Sequence, residues 1–566
     1  GTAGTTVRIT AIESITGNSG RDVVHLSDGG GTFVVNLLET LVGSSGSDVA
    51  MIGELGGGST LLIAGLEILV GNAGADVVTL SDGGNTTLLR MLETLTGGTG
   101  LDAITIGNRG STMVASNLET LVGGFALDVI TLGAGGNTLL ASQLETLTGG
   151  AGLDVVTLAT AGFDSAADMN RVSGTSGNTL LVAGLETLIG SSGTDVVYLG
   201  SAGNTLLVAG LEVLVGGAGN DAVTLGDGGN TVLLRGIETL TGSAGTDLLL
   251  LGDTGNTATV SLFETITGGT GIDAILLGNA GNTLVASQIE TLLGGAGLDV
   301  VTLGSGGSTL VTAAVETLIG GSGLDVVTLG TAGTTVRITA IESITGNSGR
   351  DVVHLSDGGG TFVVNLLETL VGSSGSDVAM IGELGGGSTL LIAGLEILVG
   401  NAGADVVTLS DGGNTTLLRM LETLTGGTGL DAITIGNRGS TMVASNLETL
   451  VGGFALDVIT LGAGGNTLLA SQLETLTGGA GLDVVTLATA GFDSAADMNR
   501  VSGTSGNTLL VAGLETLIGS SGTDVVYLGS AGNTLLVAGL EILVGGAGND
   551  AVTLGDGGNT VLLRGI

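Results

Sequence analysis

Short stretches that alternate apolar and polar residues recur along the whole chain, each bounded by glycines. In Asp299-Val300-Val301-Thr302-Leu303, period-2 alternation places Val301 and Leu303 on one face and Val300 and Thr302 on the other. A second kind of stretch follows a recurring Glu: the residue two after that Glu is Leu or Ile, and the residue before it is apolar. A third, such as Asn204-Thr205-Leu206-Leu207-Val208-Ala209, also reads as a strand, with Leu206 and Val208 inward and Leu207 outward. Glycine clusters separate all three, so the pattern predicts short β-strands joined by tight turns and no helix.

The three stretches form one 26-residue unit. It is marked by a Glu and, nine positions later, an Asp, and it occurs 20 times between Glu13 and Asp550. Fixed-period repetition of this length predicts a stacked array in which each unit buries its apolar face against its neighbours. The expected fold is therefore an all-β parallel β-solenoid, β-helix-like or β-roll-like. Each 26-residue rung would contribute three strands, giving about 20 rungs spaced about 4.8 Å apart.

Two steps between marker Glu residues depart from this spacing. The step from Glu39 to Glu67 is two longer, with extra residues around Glu54-Leu55-Gly56-Gly57, and the step from Glu145 to Glu186 is fifteen longer. The second of these carries an inserted loop at 161–175, again at 490–504, with Asp164, Asp168 and Arg171. Residues 330–566 match 1–237 except for Val213 against Ile542, so 1–329 is one complete super-repeat of twelve units and 330–566 a partial second. The expectation is a single continuous solenoid over 1–566, cut from something longer.

Composition narrows the class. Among 566 residues are 112 glycines, no proline, cysteine or tryptophan, and a formal net charge of −41. Absence of proline suits uninterrupted strands. The charge argues against nucleic acid or an anionic membrane as partner and toward cations. Glycine and acidic residues interrupt every apolar run before it reaches membrane-spanning length.

One segment of the unit resembles a known repeat. Gly216-Gly217-Ala218-Gly219-Asn220-Asp221-Ala222-Val223-Thr224 is similar to the nonapeptide G-G-x-G-x-D-x-U-x of RTX (haemolysin-type) calcium-binding proteins. Residues 207–215 look like a degenerate copy with Glu212 in place of Asp, and 225–232 hold a third glycine turn, so the unit divides as 9 + 9 + 8. Only one strong nonapeptide occurs per unit, and its second glycine is relaxed to Asn18, Ser44, Asn72, Ser191 and Ser243.

The resemblance implies calcium between adjacent turns, held by Asp carboxylates and glycine-turn carbonyls. The positions that match are Asp22, Asp48, Asp76, Asp102, Asp154, Asp195, Asp221, Asp247, Asp273, Asp299, Asp325, Asp351, Asp377, Asp405, Asp431, Asp483, Asp524 and Asp550. Gly216, Gly219, Gly294 and Gly297 stand for the turn carbonyls. Asp128 and Asp457 would be weaker, because Phe125-Ala126 and Phe454-Ala455 remove the later glycine; Glu212 and Glu290 are weaker candidates again.

Charge arithmetic points the same way if like stacks on like. Of 53 acidic residues, 40 fall in the one Glu and one Asp position of the unit. Carboxylates one rung apart would repel by roughly 3–4 kcal/mol at an effective dielectric near 20. Cations, shifted protonation or hydrogen bonds must relieve this. The alternative to calcium is structural: an Asp after a glycine turn accepts hydrogen bonds from the turn amides. The Asn positions (Asn85, Asn137, Asn204, Asn230) read as an amide ladder or turn residues.

Outward Val, Leu and Thr positions suggest lateral packing of one solenoid against another. His25 and its copy His354 lack a partner at a catalytic spacing, and no phosphate loop, zinc pattern or serine elbow is present. The function expected is therefore non-enzymatic: a secreted or cell-surface fibre, stalk or matrix protein, stabilised by calcium and self-associating. An adhesin or a ligand- or ice-binding module using outward Thr columns is the alternative, as is a solenoid without metal.

Overall fold

A computed structural model describes residues 4–53, 57–159, 178–331, 333–356, 358–382, 386–488, 507–520, 522–556 and 560–564. The inserted loops, with Asp164, Asp168 and Arg171, and the extra residues 54–56 lie outside the described residues. The chain forms two compact units, Gly1–Ile289 and Glu290–Ile566. Both are built the same way, from parallel strands of three to six residues, with 61 strands and no helix among the described residues.

Each 26-residue unit supplies three strands, as its pattern predicts. Thr94–Thr96 follows the marker Glu, Ala103–Ile106 follows the Asp, and Ser111–Ser116 is the third stretch. Their pairing, however, skips the nearest neighbour in the chain. Thr94–Thr96 lies between Val77–Leu80 and Ser111–Ser116 in one sheet. Ala103–Ile106 lies between Thr86–Arg90 and Thr120–Val122 in the other. Alternate strands thus enter opposite sheets, and a turn of the solenoid holds two strands.

This corrects the expected rung. The 26-residue unit is one and a half turns, so the 61 strands make about 30 turns, not 20. The physical reason lies at the corners. Each glycine corner reverses the chain through half a turn instead of bending it by a third, so three strands overshoot one circuit. The 9 + 9 + 8 division survives in another form, because any two successive segments close a turn.

The two sheets face each other across a thin aliphatic layer. Val301 and Leu303 are buried, as are Leu206 and Val208, while Leu207 is 40% exposed. The Leu or Ile two residues after each Glu lies at the centre of this layer: Leu95, Leu121, Leu147 and Leu214 are all fully buried. Such a side chain contributes about 1.5–3 kcal/mol when removed from water, and two sheets of alternating strands can bury it only by closing on each other.

Candidate functional site

The acidic residues sit at the two edges where the chain reverses. Because a turn is shorter than the repeat, the residue above Asp221 is not another Asp. It is Glu238, 17 residues on, and the residue below is Asn204, 17 residues back. Each edge therefore repeats Asn, Asp, Glu over three turns, with Ser or Thr in the Asn place at Thr5, Ser59, Ser111, Ser308, Thr334, Ser388 and Ser440. The expectation of Asp stacked on Asp and Glu on Glu, one turn apart, is corrected accordingly.

Hydrogen bonds join these three residues. The amide and the Nδ2 of Asn204 both donate to Oδ1 of Asp221, at 2.8 Å each. The same Nδ2 donates to the Gly200 carbonyl, and Asn204 Oδ1 accepts from the Gly184 amide. Oδ2 of Asp221 accepts the Gly217 amide at 2.9 Å, closing the turn locally. Finally the Asp221 amide donates to Oε2 of Glu238 at 2.8 Å. A carboxylate is an acceptor-only group, and here both Asp oxygens face N–H donors while the residue is almost wholly buried.

The pattern holds at one Asp after another, including Asp76, Asp102, Asp154, Asp273, Asp431 and Asp483. Asp128 and Asp457 keep it despite the lost glycine: Ser111 and Ser440 donate to Oδ1, and Gly124 and Gly453 to Oδ2. Where the second glycine is relaxed, the replacement side chain joins the corner. Ser191 Oγ donates to Asp195, and Asn18 Oδ1 accepts from the Gly20 amide. The Glu position, which the sequence left with little framework, is the acceptor for the buried Asp amide.

The first glycine of the nonapeptide has a packing cause. Gly216 donates its amide to the Arg235 carbonyl, and a Cβ there would run into the Gly236 carbonyl of the next turn. Gly294 meets Ala314 in the same way, and Gly219 abuts the backbone of Gly203. Gly297 lies in a bend beside Asp299. The residue two before each Glu takes the left-handed conformation, and it need not be glycine: Leu262 has φ of 59° and Ala314 of 54°.

Electrostatics separates Asp247 and Asp550 from Glu212. Burial raises the affinity of Asp247 for its proton, but hydrogen bonds from the Ser243 amide, from Asn230 and from the Ser243 hydroxyl outweigh it and hold the carboxyl below its ordinary value. Asp550 is also held below, first by the Asn533 side chain. Glu212 is pushed up, by burial first and then by the neighbouring Asp195 carboxylate, against the opposing hydrogen bond from the Asp195 amide.

Calcium takes six to eight oxygens. In the regular corner the groups converging on the Asp oxygens are N–H donors. Among the described residues no group of three or more His, Cys, Asp or Glu side chains could hold a metal ion.

The row has one kind of gap. Gly31 and Gly360 stand in the Asn place, and each donates its amide to a backbone carbonyl, Ser47 and Ser376 respectively, instead of to the Asp above. Neither family models nor curated proteins nor solved structures yield a match to this chain.

Proposed function

We propose that this chain is a length-giving structural segment of a secreted or cell-surface fibre, stalk or matrix, held together by side-chain hydrogen bonds at its edges. The observation that carries this reading is the near-identity of the edges from turn to turn. A corner that recurs with the same partners at Asp102, Asp154 and Asp221 distinguishes no turn as a reaction site, and what repetition adds is extent.

Self-association belongs to the same reading. Leu101, Ile272, Leu298 and Leu430 stand at corner tips with three-quarters or more of their surface exposed. Outward columns on the sheets mix Thr with larger groups, as in Thr146, Leu181, Tyr198 and Val215 across four successive strands. That mixture supports lateral packing over a flat Thr array of the kind an ice-binding face would need.

The RTX resemblance makes calcium the competing source of stability. The amide-saturated Asp residues support a calcium-independent fold, and circular dichroism with calcium added and then chelated separates the two. Unchanged β signal and melting temperature are expected. A chain that unfolds on chelation and refolds on calcium addition would sink this reading and restore the metal. Light scattering over a concentration series tests association, and a chain that stays monomeric at high concentration would remove the lateral contact.

A further inference from the structure

The Asn gap leaves one carboxylate oxygen without a donor among the described residues. At Asp22, Asp76, Asp102 and Asp221, Oδ1 receives the amide from the turn below. Asp48 and Asp377, above Gly31 and Gly360, are each only 1% exposed, and their Oδ2 accepts from Ser44 and Ser373. Their Oδ1 accepts no hydrogen bond from any described residue. Each Asp borders a cavity, of about 390 Å³ in the second copy and about 320 Å³ in the first. The two cavities have corresponding linings, so the feature was copied with the super-repeat.

The cavity lies where the Asn side chain sits elsewhere. A Cβ on Gly360 or on Gly31 would meet nothing within 4 Å. Its walls in the second copy include Ile338, Ile341, Leu355 and Phe362, and its polar floor is Asp377 with Glu342. Glu342 uses Oε2 for the Asp325 amide. The volume falls within the roughly 300–1,000 Å³ of small-molecule pockets.

We infer that each gap is a binding site for a small organic ammonium cation. Its N–H groups would replace the missing Asn donor at Asp377 Oδ1, and its charge would pair with that carboxylate. The alkyl body would lie against the isoleucines and Leu355, with the ring of Phe362 available to the cationic head. Carboxylates among apolar walls, Glu13, Asp28 and Asp48 in the first copy and Glu342 and Asp377 among the described residues of the second, suit such a group, whose alkyl body the walls can cover.

The test uses the full chain and butylammonium chloride, followed by ligand-observed NMR titration. Saturable binding is expected, with two equivalents per chain. The double variant Gly31→Asn/Gly360→Asn, which fills both gaps with the side chain used elsewhere, is expected to abolish that binding and to keep the β signal. If that variant misfolds, Asp48→Asn/Asp377→Asn takes its place, with the same loss expected. No saturable binding to the native chain, equal binding to a folded variant, or complete displacement by equimolar calcium chloride would each overturn the assignment.

Discussion

The amide of Asp102 donates to Oε2 of Glu119 at 2.7 Å, from one turn to the next and across 17 residues of sequence. Below it, Asn85 donates twice to Asp102 Oδ1. Residues that look unrelated within a 26-residue unit are thus direct neighbours. Each three-residue run binds three consecutive turns through groups that water cannot easily reach.

Replacing the donor of such a run by an acid tests it. Asn204→Asp would set two carboxylates against each other at Asp221, and like charges about 4–5 Å apart repel by roughly 3–4 kcal/mol at an effective dielectric near 20. At neutral pH the melting temperature should fall and amide exchange should accelerate in the turns around 204–238. Below about pH 5 a shared proton should recover much of the loss. Equal destabilisation at pH 7 and pH 4.5 would contradict the arrangement.

The two acids should pull the acid profile in opposite directions. Asp247 lies below its ordinary value, so the stability it contributes is present above the unfolded value, about 3.9, and is lost as pH falls through the folded value. Glu212 lies above its ordinary value, so its ionised form costs stability at neutral pH. That cost is relieved as pH falls through the raised value, fully so below about 4.3. Glu212→Gln keeps an acceptor for the Asp195 amide without the charge. It should melt higher than the native chain at pH 7, and the difference should vanish near pH 4.

Left-handed corners store strain where the residue is not glycine. Ala314 has φ of 54° and is exposed, so Ala314→Gly loses little burial while relieving a cost of roughly 1–2 kcal/mol. After the extra entropy of an unfolded glycine, a net gain of about 0.5–1 kcal/mol is expected in thermal or denaturant unfolding. The converse change, Gly294→Ala, drives a Cβ into the Ala314 carbonyl and should cost on the order of 3 kcal/mol.

Deletion length should matter more than deletion size. Removing residues 212–237, one whole unit, leaves the order Asn, Asp, Glu intact along both edges. Removing residues 205–221, a single turn, brings two Asn corners next to each other in the chain and breaks the order. The longer deletion should therefore keep near-native exchange protection at the seam, and the shorter should lose it. If the shorter deletion is the better tolerated, the edge hydrogen bonds do not govern stacking.

Much of this architecture is readable from the alternation alone. Val301, Leu303, Leu206 and Val208 face inward as the period-2 pattern requires, and Leu207 faces out. Turn size is not readable that way. A 26-residue repeat is equally compatible with three shallow corners per circuit and with three reversals over one and a half circuits, because strand lengths and glycine clusters are the same in both. The clue is the even spacing of Asn204, Asp221 and Glu238, which has meaning only once a turn is seen to span that same interval. Likewise the triple glycine at 358–360, where Gly-Gly-Asn is usual, reads as one more flexible turn until the carboxylate of Asp377 is found facing the space it leaves.

A unit of one and a half turns also imposes a parity on growth. Adding one unit sends every later strand to the opposite sheet, so a surface feature such as Tyr198 would alternate sides along a chain lengthened by ones. The duplicated block contains twelve units, an even number, and so closes on eighteen whole turns. Copying in such even blocks lets a chain lengthen without exchanging the strands of its two sheets, a condition that contact along one side would impose.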